Sequence, residues 1–62
     1  MKCYIWSNQH EAWWKPNRMG YTLDRKEAGI YPLPLAMSIV IDANKYQGDN
    51  DIPDETIVPI EI

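Results

Sequence analysis

Ile5-Trp6-Ser7-Asn8-Gln9-His10-Glu11-Ala12-Trp13-Trp14-Lys15-Pro16-Asn17-Arg18-Met19-Gly20-Tyr21-Thr22 holds all three tryptophans and the only histidine of a 62-residue chain. Lys2 to Trp6 is a run of β-branched and aromatic residues closed by Ser7-Asn8-Gln9-His10, which reads as a strand running into a turn. Ala12 to Lys15 reads as the return strand, ended by Pro16, which has no N–H for a ladder. The segment Lys2–Lys15 is therefore expected to form a β-hairpin with a polar tip. Trp13 and Trp14 are adjacent, so they point to opposite faces of their strand. One of them joins the core, and the other needs a second layer, a partner or a ligand.

Asn17 to Gly20 reads as a second turn, with Gly20 at positive φ. Tyr21-Thr22-Leu23 is a candidate short extended segment. Asp24 to Glu27 reads as a solvated connection, and Ala28-Gly29 as a turn or a point of close approach.

Outward from this stretch, Leu33 to Lys45 reads as a helix. Pro34 is tolerated in the first turn, and Ala36, Ile39, Val40 and Ala43 repeat at i, i+3, i+4, i+7. The run Ile39-Val40-Ile41 leaves a strand as the competing reading. Met37 and Ile41 widen the apolar arc on one side, Leu35 and Tyr46 on the other, and Ser38, Asp42 and Lys45 face solvent. Either the hairpin curls over this excess or a second copy packs on Met37 and Ile41. Gln47-Gly48 supplies the helix stop.

Gly48-Asp49-Asn50-Asp51 and Ile52-Pro53-Asp54-Glu55 read as an acidic turn. Its glycine and glutamate are misplaced for a calcium loop. Thr56 to Ile62 alternates as a terminal strand over residues 56–61, with Pro59 marking a sheet edge. The fold class is α+β: a single β-β-α-β domain over residues 1–62, with an antiparallel sheet of three or four strands and one helix packed on a face.

Composition narrows the function. A chain of this size buries only about 60% of its unfolded surface, so its core is thin. Cys3 is the single cysteine, which excludes an internal disulfide, and one Cys with one His falls short of a zinc site. No cofactor is expected. Aromatic packing, with four tyrosines and no phenylalanine, and self-association remain as supports. The net charge of −3 gives duplex nucleic acid little general attraction. No apolar run suits a membrane span, no signal peptide opens the chain, and a lone thiol fits a reducing cytoplasm.

Ser7, His10 and Glu11 fall together in the hairpin tip, but an exposed tip lacks the buried carboxylate and oxyanion hole of a hydrolytic triad. Cys3, inside a strand, reads as a small buried hydrophobe. An enzyme is not expected. The candidate binding residues are His10, Trp13, Trp14, Lys15, Arg18 and Tyr21, and the candidate oligomer interface is Met37 with Ile41. The outward tryptophan is expected to form the patch with His10, Lys15 and Arg18. Alternatively, Trp6, Trp13, Trp14, Tyr21 and Tyr31 line an aromatic cleft for a small ligand such as a nucleotide.

The pattern I-W-S-N-x-H-x-A-W-W-x-P-N-x-x-G-Y-T, followed by E-A-G-x-Y and a helix ending A-N, resembles a group of short uncharacterised proteins of bacteriophages and prophages. The likeness spans Ile5 to Asn44 and departs at the helix start, where Pro32 replaces the usual Ser or Thr cap. It implies an accessory phage protein in the host cytoplasm. The reading that follows is a homo-oligomeric interaction module that inhibits or modulates a host protein, such as a defence factor.

Overall fold

In a computed structural model that describes residues 1–45 and 54–60, β1 (Lys2–Ser7) is the strand on which the others assemble. The hairpin return is β2 (Ala12–Trp14), followed by β3 (Tyr21–Thr22) and β4 (Tyr31–Pro32). Helix α1 (Leu33–Ala43) comes next, and β5 (Glu55–Pro59) is the last strand of the described residues. Every pairing is antiparallel. β5 runs along β1 from Cys3↔Pro59 to Ser7↔Glu55. A strand has two edges, so β2 (Trp6↔Trp13, Ser7↔Ala12) and β4 (Lys2↔Pro32, Cys3↔Tyr31) share the other one, at opposite ends.

The expected hairpin, single helix and terminal strand are all present, with small shifts. Among the described residues the sheet has five strands rather than three or four, because the two-residue β4 also pairs. The helix stops at Ala43 rather than Lys45, and the last strand starts one residue early and ends at Pro59. Tyr46, Gln47-Gly48, the turn at 49–53, Glu61 and Ile62 lie outside the described residues.

Side-chain alternation divides the sheet. Cys3, Ile5 and Ser7 are fully buried on the helix side, where Cys3 and Ile5 meet Ala36 and Ile39. Tyr31 completes this core, and Trp14, Leu33, Val40 and Ile57 pack around it. Tyr4 and Trp6 face the other way, away from the helix. The strand alternative for Ile39–Ile41 is overturned: these residues lie within α1, whose Ala36, Ile39 and Val40 pack in the core against the sheet.

Pro32 offers α1 no side-chain cap, and the Leu33 N–H bonds the Met1 carbonyl at 2.9 Å instead. At the other end Asn44 caps by its backbone, and its side chain reaches β5, accepting from Glu55 N at 2.9 Å and donating to Glu55 O at 3.1 Å. The hairpin does not cover the excess apolar arc of α1. Leu35, Met37 and Ile41 are 42%, 47% and 68% exposed. Among the described residues, no helix is long and apolar enough to cross a membrane.

Candidate functional site

The turn from Asn8 to Glu11 folds the hairpin tip back so that the His10 N–H donates to Ser7 Oγ at 3.0 Å. Glu11 takes a left-handed φ of 52° to make that turn. The His10 ring then lies 3.9 Å from Tyr21, nearly parallel to it, and Tyr21 meets Trp14 edge-on at 5.9 Å. Registers Ser7↔Ala12 and Trp14↔Tyr21 put these groups on the helix side of the sheet.

Glu55 enters the same cluster from β5. Its carboxylate accepts from Trp14 Nε1 at 2.8 Å and from Ser7 Oγ at 3.4 Å, and Ser7 Oγ also lies 3.1 Å from His10 Nδ1. Ser7 is fully buried and Glu55 only 4% exposed. Burial raises the Glu55 pKa above the ordinary carboxylate value. The bonds from Trp14 and Ser7 and the nearby His10 pull it down, and Asp54 pushes it up again. Tyr21 is also raised, first by burial and then by the Glu55 charge.

Ser7 Oγ has one proton and two lone pairs. One lone pair takes the His10 N–H, and the His10 ring and Glu55 share what remains. A buried carboxylate does stand beside the Ser7-His10 pair, supplied by Glu55 rather than Glu11. It binds the serine, however, whereas a triad carboxylate orients the imidazole. The serine is also closed to solvent. Among the described residues, no buried side-chain polar atom lacks a partner, so the cluster is a saturated clamp between the hairpin and β5.

The six proposed binding residues are not one patch. His10, Trp14 and Tyr21 meet on the helix side, while Trp13 points to the opposite face. There Trp13 touches Tyr4 (5.6 Å) and Trp6 (4.8 Å), edge to face in both cases. Trp14 is thus the inward tryptophan and Trp13 the outward one, and Trp13 does not stand with His10. Trp6 Nε1 is held by Asn8 Oδ1 at 3.1 Å. Beside this aromatic row, Tyr4, Arg25 and Val58 line a hollow of about 260 Å³. The single aromatic cleft is not formed, because Trp6 and Trp13 lie on one face, Trp14 and Tyr21 on the other, and Tyr31 is buried.

Lys15 and Arg18 belong to a third place. The turn Pro16–Arg18 is braced by the Tyr31 hydroxyl, which donates to the Lys15 carbonyl and accepts from Arg18 N. Gly20 has the expected positive φ of 107°, but Asn17 and Arg18 are left-handed too, both at 58°. Arg18 lines a groove of about 780 Å³ along α1 with Pro34, Met37, Ile41, Asp42 and Lys45. Met37 and Ile41, the expected oligomer contacts, are therefore exposed on its wall.

Glu55 was the residue the sequence reading missed. It shares parity with Ile57, which faces the core, and that parity was the available signal. Among the described residues, no three His, Cys, Asp or Glu side chains stand together in a metal-binding group. Comparison of the chain with known protein families, curated proteins and solved structures finds no match.

Proposed function

We propose that the chain is a phage-encoded, non-enzymatic binding protein of the host cytoplasm, an oligomeric interaction module that inhibits or modulates a host protein such as a defence factor. The observation that carries this reading is the position of Trp13, at the centre of an aromatic row on the sheet face opposite α1. Aromatic anchors ringed by partly exposed neighbours dominate interface energies. The sequence likeness over Ile5–Asn44 supplies the phage context. The competing reading, a small ligand held in one aromatic cleft, loses its premise because the rings are divided between faces.

The test is affinity capture from host lysate with the wild-type chain and with Trp13→Ala, read by mass spectrometry and then by titration of the captured protein. The reading expects a specific host protein whose affinity falls by about 2 kcal/mol or more in the variant. Equal capture by both chains would remove the outer face from consideration.

A further inference from the structure

We infer that Ser7 hands the charge of Glu55 on to His10: opposite the Glu55 anion, the neutral imidazole carries its proton on Nδ1 and turns a bare Nε2 to the surface as a hydrogen-bond acceptor. The inference deepens the reading of the chain as an interaction module, because it names what the hairpin tip offers a partner.

The first ground is the geometry about one atom. Ser7 Oγ stands 3.0 Å from the His10 backbone N, 3.1 Å from His10 Nδ1 and 3.4 Å from Glu55 Oε1. A hydroxyl has one proton to give and two lone pairs to receive with. The His10 N–H takes one lone pair, which leaves one lone pair and one proton for the two side chains. An ionised carboxylate accepts and cannot donate, so Glu55 claims the proton. The remaining lone pair faces Nδ1, and the ring meets it favourably as an N–H donor.

The second ground is the cost of the other tautomer. With its proton on Nε2, the ring would draw the Ser7 hydroxyl to Nδ1 and leave an Oγ lone pair against the carboxylate. Trp14 Nε1 already occupies Oε2 at 2.8 Å, and Oε1 has no donor besides Ser7 among the described residues. Stranding a buried acceptor in this way favours the Nδ1–H form by about ten to one or more.

The third ground is that the ring is held in place. It stacks on Tyr21 with centroids 3.9 Å apart and planes 16° from parallel. Turning it over within the stack would put a carbon where Nδ1 stands. The other titratable groups at this place are Asp54, which precedes Glu55, and Tyr21. The end of α1 contributes the Asn44 amide, which is engaged with the Glu55 backbone. None of them bonds Oγ. Ser7 and Glu55 are buried, whereas His10 is exposed and its Nε2 makes no hydrogen bond to the described residues. A solvated imidazole prefers the Nε2–H form, so the cluster inverts the ordinary outer edge of the ring. A partner seated over the tip must bring an N–H or O–H to His10, not a carbonyl.

The experiment is long-range proton–nitrogen correlation NMR on the 15N-labelled chain, whose single histidine makes the imidazole signals unambiguous. Wild type, Glu55→Gln and Ser7→Ala are compared on the pH plateau where the ring is neutral, with circular dichroism to confirm folding. In the wild type Nδ1 should show the shift of a protonated nitrogen and Nε2 that of a bare one, at about ten to one or more. In Glu55→Gln the amide oxygen keeps Trp14 and the amide N–H donates to Ser7, so the hydroxyl turns to Nδ1 and the two nitrogens exchange shifts. Ser7→Ala cuts the link and returns the ring to the Nε2–H form. A wild-type ring that is mainly Nε2–H overturns the inference, and so does an Nδ1–H form that persists in either folded variant. If Glu55→Gln fails to fold, wild type and Ser7→Ala decide. The spectra use the chain alone, so a failed tautomer leaves host binding standing, and failed capture leaves the tautomer standing.

Discussion

Trp14 Nε1 donates to the Glu55 carboxylate at 2.8 Å, so two residues 41 positions apart join the strands on either side of β1. Ser7 lies beneath this bridge and bonds the same carboxylate. A chain of this size has closed its sheet with an acid that it had to bury.

Burying that acid has a consequence for pH. The folded Glu55 pKa is raised from 4.5, chiefly by desolvation, so the folded chain holds the proton more tightly than the unfolded chain. The favourable contribution of this group is fully present below its unfolded value and is lost as pH rises through the raised one. Glu55→Gln keeps an acceptor for Trp14 and removes that loss. Its melting temperature should therefore gain on the wild type between pH 4 and pH 7. A variant that loses ground over the same interval would show that the carboxylate stabilises the fold as an anion.

The turn at Pro16–Arg18 holds two consecutive left-handed residues, and the Tyr31 hydroxyl bonds it twice. Left-handed backbone without glycine costs of order 1 kcal/mol or more per residue and persists only where neighbours enforce it. Tyr31→Phe should lose about 1–3 kcal/mol in urea unfolding. Asn17→Gly placed in the Phe background should recover part of that loss, and no recovery would mean that the turn stores no strain.

Gly29 fills a point of close approach. A Cβ there would stand 2.8 Å from the Pro16 backbone and 2.8 Å from the Tyr31 ring, and the Gly29 N–H bonds Trp14 O at 2.7 Å. Gly29→Ala should therefore cost about 1–3 kcal/mol, the range of an overpacked core. Thermal melting within a few tenths of wild type would show that the Pro16 corner can move.

How much of this was legible follows from how local each signal is. The hairpin was readable because its strands, its polar tip and Pro16 are contiguous. The helix was readable because Ala36, Ile39, Val40 and Ala43 repeat at its period. β4 was not, since two residues carry no periodicity and its pairing with Lys2 and Cys3 depends on the whole sheet. Glu55 was hidden because an acid after Asp54 looks like turn, and its partners Ser7 and Trp14 are far away in sequence. Gly20 drew attention from Asn17 and Arg18, whose left-handed backbone the Tyr31 hydroxyl braces from a distance. Alternation required Trp13 and Trp14 to part company, but only the register Trp6↔Trp13 decides which of them goes outward.

That division of the two tryptophans is the central claim, and urea unfolding of Trp13→Ala beside Trp14→Ala tests it most directly. Trp14→Ala empties space beside the core and strips a donor from a buried carboxylate, so it should lose about 3–5 kcal/mol. Trp13→Ala loses two edge-to-face contacts on the face opposite α1 and should lose about 1–2 kcal/mol. Equal losses, or a larger loss at Trp13, would contradict the account.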